Sequence, residues 1–217
     1  MPESPSRTAT VRALSVLLTV AVLWVGLDQL TKYLVVTHMQ ENERIAVFGD
    51  ALQLLFVRNP GAAFSFASGA TWIFSLLATG VVIAIIVMAR RIHSVRWGLV
   101  FGLLLGGVLG NLLDRLFREP SFGLGHVVDF ISTPWMMPAI YNVADIGICV
   151  AMALFVLLTI LGVGLDGKRA PKQASETDAS DNDAGDVPGD LVDHETVVND
   201  SADGDVADEN PSTQKGS

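Results

Sequence analysis

A chain of 217 residues that is half hydrophobic yet carries a formal net charge of −9 cannot be one uniform domain. Divided at Asp166, it separates into residues 1–165, with ten Lys and Arg against nine Asp and Glu, and residues 166–217, with four against fourteen. The apolar body excludes an ordinary water-soluble core, neither part offers a basic surface to nucleic acid, and the single cysteine, Cys149, excludes an intramolecular disulfide or a thiol-pair metal site.

Four stretches are long and apolar enough to cross roughly 30 Å of hydrocarbon at about 1.5 Å per residue. Residues 1–12 form a short N-terminal segment, and the first span is expected over about 13–36, "ALSVLLTVAVLWVGLDQLTKYLVV". It reads as a retained helix rather than a secretory signal, because apolar character resumes beyond "DQLTK" and no small-residue cleavage site follows. A loop over 37–70 comes next. Within it, "ALQLLFVRNPGAAFSFA" has two short β-prone runs flanking "RNPG", which predicts a hairpin-like turn and a small sheet. The second span, 71–89, carries no charge at all, and the third is expected over 97–117. A second loop, 118–138, ends in "STPWMMP", an interfacial segment leading into a fourth span over about 139–163. Residues 166–217 contain scarcely any large apolar residue and no aromatic one, so they cannot bury enough surface to offset ordering entropy and read as a disordered acidic tail. Cys149, inside an apolar run, is expected to be a small buried hydrophobe.

Basic residues set the orientation. Arg7 and Arg12 precede the first span, Arg90, Arg91 and Arg96 join the second to the third, and Lys168, Arg169 and Lys172 follow the fourth, whereas the other two loops are mixed in charge. The positive-inside rule then places both termini in the cytoplasm and the loops 37–70 and 118–138 outside. The expected fold is an all-α membrane protein of four transmembrane helices, residues 13–165, with a small β-sheet element in the first outer loop.

Every ionisable residue within the spans falls in the outer half. Asp28 and Lys32 stand one helical turn apart and can pair, leaving Asp114 to pair with Arg115. Gly102, Gly106 and Gly110 repeat every fourth residue and aim the next position, Asp114, into the bundle. Asn111, Asp114 and Arg115 read as packing and hydrogen-bonding groups. Asp129 and Asp145 are different, because two acids approach one place with Asn142 beside them and no equal supply of cations. Two such carboxyls cannot both ionise cheaply, so the pair holds one proton. That suits an acid–base pair activating water against a carbonyl, or equally a proton relay in a transporter. His38, His93, His126 and His194 form no metal-ligand spacing, and neither Ser65 nor Ser132 has a partner that would make it a nucleophile.

"DQLTKYLV", "RNPGAAFSF", "GNLLDRL", "HVVDFI" and "YNVAD", in this order on four spans, closely resemble the lipoprotein signal peptidases, also called signal peptidase II. The resemblance covers about residues 13–165. It implies an intramembrane aspartyl endopeptidase of the bacterial cytoplasmic membrane, monomeric and free of metal or other cofactor. Such an enzyme removes signal peptides from prolipoproteins just before a diacylglyceryl-modified cysteine, with the membrane lipids as its surroundings. By motif it makes Asp129 and Asp145 the catalytic dyad, and Asp28, Lys32, Asn59, Gly61, Asn111, Asp114, Arg115 and Asn142 the residues that line or brace the substrate site. A proton-coupled transporter using the same carboxylates is the rival reading; a presenilin-like protease would need a GxGD motif, which the sequence lacks. The tail lies outside the resemblance, so truncation after Lys172 should leave cleavage largely intact. Loss of cleavage by a truncated but well-folded chain would overturn that.

Overall fold

Hydropathy fixes the long elements, and local chemistry fixes where they stop. In the computed structural model, which describes residues 7–61 and 71–168, the elements in order are α1 (Arg7–His38), β1 (Arg44–Phe48), β2 (Leu52–Asn59), α2 (Thr71–Ala89), α3 (Val95–Phe117), β3 (Val127–Ser132), β4 (Ile140–Tyr141) and α4 (Val143–Ile160). All four helices are long and apolar enough to span a membrane. Residues 62–70 and 169–217 lie outside the description, and with them the second β-prone run, Ser65, His194 and the acidic tail.

The expected second span coincides with α2, and the others are shifted. Helix α1 begins six residues before the predicted Ala13, since nothing in "RTATVR" breaks a helix and each added residue gains a hydrogen bond. Helix α4 begins four residues late. Asn142 caps it, its side chain accepting from the Asp145 N–H while the Asp145 side chain accepts from the Asn142 N–H, so residues 140 and 141 are free to pair as β4. It stops at Ile160 rather than near Val163, because Gly162 adopts φ 64° just past the C-cap Leu161.

Helix α3 is the centre of the bundle. In its most apolar window 61% of residues are buried, against 17%, 11% and 22% for α1, α2 and α4. Its glycines explain the close approach to α1: a methyl on Gly98 would lie 2.5 Å from the Ala13 carbonyl oxygen, and one on Gly102 2.8 Å from that of Leu17. Around this seam Ala13, Leu17, Ala21, Val100, Phe101 and Leu105 form an apolar core, and Trp97 Nε1 donates to the Val163 carbonyl at 3.1 Å. Leu18, Leu23, Leu76, Leu77, Val87 and Ile160 are among the large side chains left more than 60% exposed. An apolar surface on that scale needs lipid. Cys149 lies on this outward surface, against the expectation that it is buried. In lipid an apolar run does not distinguish core from periphery.

The sheet differs from the expected hairpin. It has four antiparallel strands in the order β1-β2-β3-β4 and is built from both connecting loops. Among the described residues a hairpin turn falls between β1 and β2, where Gly49 takes φ 56°, and Asn59 ends β2 opposite Val127 of β3; the turn expected at "RNPG" runs into residues outside the description. Val35 and Met39 at the end of α1 pack with Phe56, Val128 and Phe130, which seats the sheet on one end of the bundle. Trp135, 72% exposed in the segment before β4, donates its indole N–H to the Ala51 carbonyl at 2.9 Å.

Candidate active site

The polar residues of the spans collect where the sheet meets the bundle. Lys32 on α1 is wholly buried between two wholly buried carboxylates, 2.9 Å from Asp28 Oδ2 and 2.9 Å from Asp114 Oδ2. The pairing of Lys32 with Asp28 was expected; the pairing of Asp114 with Arg115 is corrected. Asp114 takes Lys32 and, one turn on along α3, Arg118, whose Nε donates to Asp114 Oδ1 at 2.6 Å. Arg115 points elsewhere. Its Nη1 donates to the Asn111 carbonyl at 3.3 Å, its guanidinium stands 5.7 Å above the Phe74 ring centre, and its buried Nε has no partner among the described residues.

Each buried acid also holds a backbone N–H beside one member of the expected dyad. Asp28 Oδ1 accepts from Ala144 N at 2.9 Å, just before Asp145, and Asp114 Oδ2 accepts from Val128 N at 3.2 Å, just before Asp129. Lys32 donates to Asn111 Oδ1 at 2.9 Å, which turns the Asn111 amide so that Nδ2 meets Asp145 Oδ1 at 2.8 Å. The three charges therefore reach both acids through one intervening group each. Gln29 joins them, its Nε2 donating to Asp28, to Asp114 and to the Gly110 carbonyl. Gln29 and Arg118 were missed in the sequence. Arg118 was legible as the residue four beyond Asp114.

Asn142 links the dyad directly. Its Nδ2 donates to Asp129 Oδ1 at 2.6 Å and its backbone N to Asp145 Oδ2 at 3.0 Å. The second oxygen of Asp129 receives Asn59 Nδ2 at 2.8 Å, a diagonal contact between the facing strands β2 and β3. Asn59 is itself oriented by Gly61, whose N–H donates to Asn59 Oδ1 at 2.9 Å. Gly61 stands at φ 98°, and a methyl there would sit 2.7 Å from the Phe74 ring, so any other residue would be strained and would displace that ring. Burial at 3% exposure pushes the Asp129 carboxyl up from 3.8 to about 6, and the charge of Asp145 pushes the same way. The amides of Asn59 and Asn142 and the charge of Lys32 oppose the rise.

A cavity of about 700 Å³ opens on this cluster, with Asn59, Gly61, Phe74, Arg115 and Asp129 in its wall, together with Pro138 and Ile140 from the approach to β4. Asn111, Asn142 and Asp145 are not in that wall and join through the hydrogen bonds above. The structure thus brings together all ten residues expected from the sequence. Chemically it offers a linked carboxyl pair, one of them with its pKa raised by burial, beside an arginine with donor capacity to spare.

Residues 20–161 match the family described as signal peptidase (SPase) II. The lipoprotein signal peptidase of Leifsonia xyli subsp. xyli is 53% identical over 196 residues, covering 88% of this chain and 90% of that protein. That of Rhodococcus jostii is 43% identical, covering 77% and 83%. Among solved structures, a bacterial membrane enzyme determined by the in meso method at 1.9 Å resolution aligns with a TM-score of 0.61 and 28% identity, over 68% of this chain and 94% of that one.

Proposed function

This chain belongs to the signal peptidase II family, and we propose that it is an intramembrane aspartyl endopeptidase that removes signal peptides from prolipoproteins, cutting just before the diacylglyceryl-modified cysteine. The observation that carries the mechanism is the bridge through Asn142, which holds Asp129 and Asp145 to one residue by 2.6 and 3.0 Å hydrogen bonds. With one proton between them, one aspartate as carboxylate takes a proton from water, and the water oxygen attacks the scissile carbonyl carbon. The other, as acid, gives its proton to the carbonyl oxygen. On collapse the C–N bond breaks, the amine leaves with the proton taken from water, one hydroxyl of the tetrahedral intermediate returns its proton to the ionised aspartate as the C=O re-forms, and the pair again holds one proton. Arg115, whose buried Nε in the cavity wall has no partner among the described residues, supplies a positive charge that stabilises negative charge building on the carbonyl oxygen as the proton is transferred.

The basic residues at the ends of the spans support an orientation with both termini in the cytoplasm and the sheet end outside. The site then lies where a lipid-anchored substrate meets water, at the outer face of the bacterial cytoplasmic membrane. One chain supplies both carboxyls, so a monomer suffices.

The test is incubation of the purified full chain in detergent with a diacylglyceryl-modified prolipoprotein across a pH series. A new N-terminus at the modified cysteine is expected. Since the Asp129 carboxyl is raised to about 6, the pair loses its proton as pH rises. The kcat/KM profile, which reports the free enzyme, should therefore fall on the alkaline side at or above that value, because the surrounding detergent or lipid excludes more water and pushes the same way. A profile that climbs through pH 6 and stays level to about 9 would show the pair working fully ionised and sink the mechanism. An intact substrate accompanied by proton flux in liposomes would instead favour the transporter.

A further inference from the structure

Helix α4 starts with a peptide group that is gripped at both ends by α1. The Val143 carbonyl receives Trp24 Nε1 at 3.1 Å, and the Ala144 N–H donates to Asp28 Oδ1 at 2.9 Å. The carbonyl and the N–H belong to the same peptide unit, and Trp24 and Asp28 stand one turn apart on α1. Because α4 runs antiparallel to α1 here, its carbonyls face down the turn toward Trp24 and its N–H groups face up toward Asp28. Room for the indole comes from glycines on two other helix faces. A methyl on Gly147 would overlap the indole N–H and sit 2.7 Å from Cε2, and one on Gly106 would come 2.8 Å from the Trp24 Cβ.

We propose that Trp24 is a positioning residue for catalysis: with Asp28 it clamps the 143–144 peptide, and so sets the angle at which the next residue, Asp145, presents its carboxyl. The inference rests on Asp145 being catalytic. Asp145 closes the capping box with Asn142, which fixes its side chain relative to the first turn of α4, and takes the Asn111 amide of α3. The clamp fixes that turn relative to α1 and thus to the rest of the site. A rotation of the turn by a few tenths of an ångström would carry the carboxyl away from the attacking water, and misplacements on this scale lower rates without weakening substrate binding.

The experiment measures kcat and KM of the full chain in detergent, well below the unfolding temperature, for wild type, Asp145→Asn, Trp24→Phe, Gly147→Ala, Trp24→Leu and the Trp24→Leu/Gly147→Ala double variant. Trp24→Phe keeps most of the ring and loses the donor; its kcat should fall roughly tenfold with KM within about twofold. Gly147→Ala, which displaces the indole, should fall at least as far, and the double variant should be no worse than Trp24→Leu alone. Wild-type kcat in Trp24→Phe, or a double variant that shows the full sum of both losses, overturns the clamp. Undiminished cleavage by Asp145→Asn overturns the dyad itself, which is a separate and recognisable result.

Discussion

Asp129→Asn and Asp145→Asn should each reduce prolipoprotein cleavage by about 10³-fold or more, and the double variant should fall no further than the worse single one. General acid–base groups contribute on the order of 10²–10⁴ each, and two that pass one proton back and forth act as a unit, so the first loss already removes most of the benefit. Neither change empties space. Each does place an NH₂ where the carboxylate now receives two N–H donors: Asn59 and Asn142 on Asp129, Asn111 and the Asn142 backbone on Asp145. A modest stability loss of about 1–3 kcal/mol follows for a buried donor left unsatisfied. Activity is therefore compared at temperatures where size-exclusion and thermal unfolding show every variant folded. Either single variant cutting at the wild-type rate would make its carboxyl structural and end the dyad assignment.

Lys32→Met should be the most destabilising single change in the chain. Methionine preserves the apolar stem of the lysine, so the loss is electrostatic. Asp28 and Asp114, both at 0% exposure, would each lose a 2.9 Å cation. Removing one partner from a buried ion network costs about 3–5 kcal/mol, because uncompensated charge remains inside, which for a body of this size lowers Tm by roughly 10 °C or more. Asp114 retains Arg118, whereas Asp28 retains only neutral donors, Gln29 and the Ala144 N–H. Adding Asp28→Asn to Lys32→Met should accordingly recover part of the lost Tm. Activity should fall further than stability explains, since Asn111 loses the donor that orients it toward Asp145. A Lys32→Met protein melting within about 2 °C of wild type would show that the triad is not what secures this end of the bundle.

Periodicity and hydropathy made the membrane layer legible because lipid imposes a simple rule: about twenty apolar residues per crossing. That rule is blind to what happens at the ends. The predicted start of α4 ran over residues 139–142 because those residues are apolar enough for lipid, but the Asn142–Asp145 capping box fixes the start. That box was readable as N-x-x-D and was passed over. The depth of the polar residues pointed to one end of the bundle, and the family motifs named ten residues that the fold gathers there. Which charge answers which was another matter. Asp114 lies next to Arg115 in sequence, but a helix turns adjacent residues 100° apart, so its partner is Arg118 and Arg115 is released toward the cavity. Long-range pairing set the rest. Nothing in "ALQLLFV" says that its neighbour is "VVDFIS", some seventy residues away, and only that pairing brings Asn59 to Asp129.

The charges gathered at the sheet end have one more consequence. Asp28, Asp114, Asp129 and Asp145 bring four negative groups, and Lys32, Arg115 and Arg118 bring three positive ones; Arg58 is occupied at the surface by Glu41 and Glu119. Four against three leaves a single excess negative charge on groups most of which are buried or partly buried. One proton brings these groups to electroneutrality, and it is the same proton that the proposed dyad would use. It is thus a counter-ion of the folded state as much as a reagent.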